Sequence, residues 1–277
     1  MATITAADVN KLRQMTGAGM MDCKKALMES DGDFEKAIEI LRKKGQKVAA
    51  NRSDREAKEG LVLAKTNNDK TKGFLVVVNC ETDFVAKNDE FRSFAERVLD
   101  IAINQNISDL ETLKQQAFDS ELKVADKVIE LIGKIGEKID LNEVAMIEGE
   151  YVVAYNHPGN KLASMVAFNM KGEKIEEPAK QIAMQIAAMN PIAIDKDSIP
   201  SDVIEKELEI AKEQVRQEGK PEEMVEKIAQ GKLNKFIKEN TLLGQQFISN
   251  DKQTVEQYLK SIDPNLKVLA FKRVMLG

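Results

Sequence analysis

The chain has 277 residues, with 41 Lys and Arg against 46 Asp and Glu, a formal net charge of −5, and 43% hydrophobic and 31% charged residues. That is length for two or three compact units, and a composition for a folded globular protein rather than a disordered one. The acidic balance argues against a nucleic-acid partner, which needs clustered Lys and Arg, and no apolar run approaches the ~20 residues of a membrane span.

The opening MATITAADVNKL has neither the apolar stretch of a signal peptide nor the Arg- and Ser-rich character of a transit peptide, so a cytoplasmic setting is expected. Three short helices are predicted in residues 1–45. Thr5 with Asp8 opens the first as a capping box, and Val9 and Leu12 lie one turn apart. Gly17 and Gly19 break the pattern with a tight turn. Met20, Cys23 and Leu27 restart it at helical spacing, and Phe34, Ala37, Ile38 and Leu41 carry the third helix after a turn at Asp31-Gly-Asp33. Gly45 reads as its C′ residue. Residues 47–59 are charged without an apolar face and read as a linker with room for some helix.

Beyond the linker the period changes. Residues 61–66 and 73–80 are strand-like, and the second run (Phe-Leu-Val-Val-Val) suits a central strand because it is apolar on both faces. It exits through Glu81-Thr-Asp-Phe-Val-Ala-Lys-Asn88 into a helix with Phe91, Phe94, Val98 and Ala102 on one face. A capping box at Ser108 and Glu111 and a helix with Val124, Val128, Leu131 and Ile135 follow. Strand signals return at 144–147, 151–155 and 162–168, and Pro178 suits the first turn of a helix carrying Ile182, Ile186 and Met189. Hairpin then helix, twice over, suggests two copies of one α+β plan.

Residues 201–240 mix dense charge with narrow apolar stripes, Ile204, Leu208, Ala211 and Val215 on one side and Met224, Ile228 and Leu233 on the other. Gly219-Lys-Pro221 stops one helix and starts the next, giving a projecting antiparallel hairpin with a coiled-coil-like seam. A short helix at 255–259 and an alternating strand at 267–275 close the chain.

Few residues invite chemistry. Cys23 and Cys80 are too few and too far apart for a disulfide framework, which fits a reducing compartment. His157 is the lone histidine, which removes much of the His-based triad and His-ligated zinc chemistry, and no phosphate-binding glycine loop is present. No catalytic, cofactor-binding or metal-ligating residue is assigned, which favours a binding protein over an enzyme. Three features stand out. Met20 and Met21 lie ~100° apart on a helix, so one stripe cannot bury both, and an exposed Met suits adaptable protein contacts. The second feature, residues 82–85, could be a turn with a core plug or an exposed contact. His157-Pro-Gly159 could be only a turn.

LRQMTGAGMMDCKKAL at 12–27 and VNCETDFVAK at 78–87 resemble the two signature stretches of the elongation factor Ts family, exchange factors for the translational GTPase elongation factor Tu. DGDFEKAIEILRKKG, Tyr155-Asn-His157, GKPEEMVEKIAQGK and LLGQQFI resemble the same family in the same order, across nearly the whole chain.

The resemblance implies an α+β protein in four parts. These are a ubiquitin-associated-like three-helix domain with its linker (1–54), an N-terminal core subdomain (55–140), a C-terminal core subdomain (141–190 and 230–277), and a helical hairpin of dimerisation type (191–229). It implies that Thr82, Asp83, Phe84 and Val85 unsettle the partner's magnesium site. Leu12, Arg13, Met20 and Met21 would contact the partner's nucleotide-binding domain, and His157 a different partner domain. No cofactor, membrane or nucleic acid is implied, and a homodimer through the hairpin is left open. A ubiquitin-associated-like adaptor without exchange activity is the competing reading. A carboxylate enzyme would need acids converging in a cleft, and Asp83 with Glu81 is the one tempting neighbour pair.

Overall fold

The computed structural model describes residues 4–277; the first three residues of the expected N-terminal domain lie outside them. Three helices come first: α1 (Ala6–Thr16), α2 (Met20–Glu29) and α3 (Phe34–Asn51). The Thr5–Asp8 capping box forms, and Asp33 caps α3 by accepting the Lys36 N–H at 3.1 Å. Leu12, Cys23, Leu27 and Ala37 are fully buried between the three helices. Gly45 is not a C′ residue. It lies inside α3, which runs on to Asn51 and shortens the linker to the stretch before Glu59.

The first sheet has the order β1 (Glu59–Thr66), β2 (Lys72–Cys80), β3 (Ile139–Glu148), all antiparallel, with β2 central. Between β2 and β3 the chain forms α4 (Asp83–Ala86), α5 (Asp89–Gln105), α6 (Leu110–Lys114) and α7 (Val124–Ile135). Asp109, not Ser108, caps α6, accepting the Thr112 N–H at 2.7 Å. One face of β2 (Phe74, Val76, Val78) packs on Phe91, Phe94 and Leu131, and the other (Leu75, Val77) on Ala163 and Met165 of the second sheet. That double burial is why β2 reads apolar at every position. Because β3 pairs with β2, a division at residue 140 would cut through the first sheet.

The second sheet repeats the plan, in the order β4 (Tyr151–Asn156), β5 (Leu162–Phe168), β8 (Val268–Met275). Its outer face is covered by α8 (Glu173–Met189) and α11 (Val255–Ile262), with a small hairpin, β6 (Gln246–Phe247) and β7 (Asn250–Thr254), beside them. The helix α8 starts at Glu173, so Pro178 lies inside it and not in its first turn. The two sheets pack face to face, making an α+β architecture of helices, sheet, sheet, helices. Asn156 joins them at the edge: its side chain accepts the Ala64 N–H and donates to the Ala64 carbonyl, both at 2.8 Å. The free backbone edge of β1 is thereby satisfied at Ala64.

The helical pair α9 (Ser201–Gln217) and α10 (Glu222–Asn240) forms the hairpin. Its buried side differs from the expected stripe on α10: Val225, Ala229, Leu233 and Ile237 face inward, and Met224 is exposed. Leu233 and Ile237 pack with Ala193 and Ile199 at the hairpin's base, so residue 229 is not a boundary in the packing.

Candidate functional site

Strand β2 ends at Cys80, whose buried thiol donates to the Thr82 carbonyl at 3.2 Å. Burial, with the Glu137 and Glu59 carboxylates nearby, pushes this thiol up to about 12, so it is inert as a nucleophile. Thr82 then caps α4, accepting the Val85 N–H at 3.4 Å. Asp83, in the first turn, bonds the Lys87 ammonium at 2.6 Å. That hydrogen bond and charge hold its carboxyl below the usual range, with Lys161 adding to the effect. Val85 is buried in the first core and supports the turn from behind, so its side chain is not free for a partner.

Phe84 points the other way and is 81% exposed, the most exposed large apolar side chain among the described residues. It is not a core plug. Full burial of such a side chain is worth about 1.5–3 kcal/mol, which the free chain leaves unrealised.

The N-terminal turn is built on two glycines. Gly17 adopts φ +66 and donates to the Arg13 carbonyl at 2.7 Å, a left-handed cap closed to most side chains. A Cβ there would also collide with the Lys134 ammonium of α7. Met20 and Met21 are 56% and 63% exposed, whereas Cys23, Ala26 and Leu27 are the residues of α2 that the bundle buries. Met20 therefore does not continue the buried stripe. Met15 and Met28 are exposed as well, so α1 and α2 together carry four exposed methionines. Arg13 is exposed on α1, whereas Leu12 is wholly buried and shapes the face from beneath.

His157 is exposed in the β4–β5 turn, with Nδ1 3.0 Å from the Tyr155 hydroxyl. The turn is pinned to the first sheet through Asn156, through the Asn160 carbonyl accepting the Val62 N–H at 2.7 Å, and through Lys161 paired with Glu59 at 2.6 Å. Helix α7 and the loop after it connect the other two places, since Lys134 abuts the Gly17 turn and Glu137 bonds Thr82. The three places thus rest on one continuous frame, though their side chains do not converge on a shared point.

Sequence reasoning missed that frame. Glu137, Arg52 with Glu81, and Asn156 with Ala64 act over long separations, and nothing local marks them. Among the described residues, no group of three or more His, Cys, Asp and Glu could hold a metal ion, and no helix is long and apolar enough to cross a membrane.

Comparison with known proteins adds an independent line. Residues 81–277 match the sequence model of the family described as Elongation factor TS. The chain is 54% identical to Elongation factor Ts of Flavobacterium psychrophilum over 277 residues, covering 100% of both chains. It is 54% identical to Elongation factor Ts of Amoebophilus asiaticus over 275 residues, 99% of each chain. It is 42% identical to Elongation factor Ts of Chloroherpeton thalassium, covering 100% of this chain and 99% of that one.

Proposed function

The chain belongs to the elongation factor Ts family and is a translation elongation factor, and on that premise we propose that it binds the GTPase elongation factor Tu in its GDP form and speeds GDP release by disturbing the magnesium site, so that GTP can rebind. The exposure of Phe84 carries this reading. A large apolar ring held out from a turn whose polar groups are otherwise paired suits insertion between elements of a partner. Asp83 brings a carboxylate to the same turn, where charge near a metal's water shell matters.

Linkage sets the mechanism. The factor must prefer the partner conformation in which contacts to GDP and magnesium are broken. By reciprocity, whatever factor it takes from GDP affinity, GDP takes from its own binding. Met20, Met21 and Arg13 supply docking, His157 a second contact on another part of the partner, and Phe84 the difference between the two conformations. In this reading the chain makes and breaks no bond and needs no cofactor of its own, and it works in the cytoplasm, where translation runs.

The test is release of fluorescently labelled GDP from elongation factor Tu, with and without this protein. Acceleration that saturates with the protein's concentration is expected. Tight binding with unchanged release would leave an adaptor instead.

A further inference from the structure

The Phe84 turn is a four-residue helix, too short to hold a direction through its own hydrogen bonds. Buried Val85 and the Cys80 thiol hold it from the core side, and the side-chain clamp on the Thr82 hydroxyl and N–H is Glu137, in the loop joining α7 to β3. Glu137 Oε1 accepts the Thr82 hydroxyl at 2.8 Å, and Oε2 accepts the Thr82 N–H at 3.1 Å. Two charge-assisted bonds to one residue fix orientation as well as distance. They also set the polarity of the cap. With its proton committed to Glu137, the Thr82 hydroxyl presents only lone pairs to the Val85 N–H.

The neighbouring residues extend the clamp. The Lys138 N–H donates to Glu81 Oε1 at 2.6 Å, and Arg52 Nη1 donates to the same oxygen at 2.7 Å. The Lys138 ammonium reaches the carbonyls of Ser53 at 2.8 Å and Arg55 at 3.2 Å. One loop therefore holds both the segment leaving α3 and the turn that carries Phe84.

We propose that Glu137 is a positioning residue for nucleotide release, holding the Phe84 turn in the pose the release step requires. The inference rests on the exchange reading above. A loose turn would have to be ordered as Phe84 enters the partner, which raises the barrier to release; a clamp in the free protein does that ordering beforehand. Docking through Met20 and Met21 involves other surfaces, so Glu137 should act on the maximal rate rather than on affinity.

Three measurements test this. In the free protein, Glu137→Ala is expected to speed amide hydrogen exchange at Val85 and Ala86 about tenfold or more, because the cap has lost its anchor. At saturating factor it should lower the maximal GDP release rate about tenfold while the half-saturating concentration stays within about twofold. Glu137→Gln keeps one acceptor oxygen and should fall between, with a melting temperature close to that of the starting chain. In a Phe84→Ala background, Glu137→Ala should cost nothing further, since positioning then has no object. Equal losses in both backgrounds, unchanged amide exchange, or a Phe84→Ala protein with undiminished release each overturn the positioning role. A starting chain that never accelerates release is a different failure. It removes the exchange reading and this role with it, while amide exchange still reports separately whether Glu137 holds the turn.

Discussion

Gly45 of α3 and Gly133 of α7 meet with no side chain between them: a Cβ added at Gly133 would stand 2.8 Å from the Gly45 Cα, and one added at Gly45 would stand 3.0 Å from the Ile129 carbonyl oxygen. Both obstacles are backbone, so neither can swing aside. The crossing seats the N-terminal helices on the core, with Lys44–Asp22 at 2.5 Å tying α3 to α2 on the outer side. An ordinary helix interior would gain about 1 kcal/mol on replacing Gly by Ala. Here the helices would have to part.

Gly133→Ala is therefore expected to lower the melting temperature and to open the stretch between α3 and β1 to limited proteolysis. Gly231→Ala is the contrasting case. Gly231 is also helical, in α10, but a Cβ there meets nothing within 4 Å, so Ala should stabilise by about 0.5–1 kcal/mol. Thermal unfolding of both variants checks the pair. Equal shifts of the same sign would show that the close crossing is not what matters.

For the hairpin, where the cut falls decides the outcome. Removing residues 212–228 and closing the gap with a short Gly/Ser link takes away the tip and its surface ion pairs, Lys212–Glu226 and Arg216–Glu222. Such pairs contribute little, so cooperative unfolding and GDP release should survive nearly intact. Removing 191–229 instead strips Leu233 and Ile237 of Ala193, Ile199 and Leu208. That larger cut is expected to broaden the transition and lower its midpoint, as calorimetry would show.

Local signals gave most of the elements. The Thr5–Asp8 capping box, the apolar run of β2 and the periodic face of α5 each depend on residues close in sequence. Gly45 misled because a glycine after an apolar stripe has the same local signature whether it ends a helix or lets another helix approach; only Gly133 distinguishes the two. Pro178 misled for a similar reason, since a proline inside α8 and one at its start share the same neighbours. At the site, resemblance named positions but not which way each side chain faces. Leu12 and Val85 proved buried, and Met20 and Met21 exposed. Glu137 had no local signal at all, because its work is done on a residue 55 positions away.

Exposure of both methionines separates docking from folding. The double variant Met20→Ala, Met21→Ala should unfold within about 0.5 kcal/mol of the starting chain, as surface changes do. Binding to elongation factor Tu should weaken by on the order of 1–3 kcal/mol if the two are central contacts. Titration calorimetry measures the loss, and release at saturating factor should change little. Undiminished affinity would move docking to other exposed methionines of the bundle, Met15 or Met28.

Phe84 and Asp83 share one turn and test two different physical effects. Phe84→Ala removes an exposed ring, so melting should stay near normal, in contrast to the ~3–5 kcal/mol that loss of a buried Phe costs. Maximal GDP release should nevertheless fall, each tenfold corresponding to ~1.4 kcal/mol of lost stabilisation of the release transition state. Asp83 needs a substitution rather than a pH titration. The Lys87 bond holds its carboxyl below the usual range, so lowering pH would protonate many other acids first. Asp83→Asn keeps the shape and removes the charge. Slower release in Asp83→Asn alone would show that charge near the metal shell contributes beyond the ring. Since neighbours on one element are rarely additive, the double variant should lose less than the two single losses combined. Simple addition would mean that the ring and the carboxylate act on separate features of the partner.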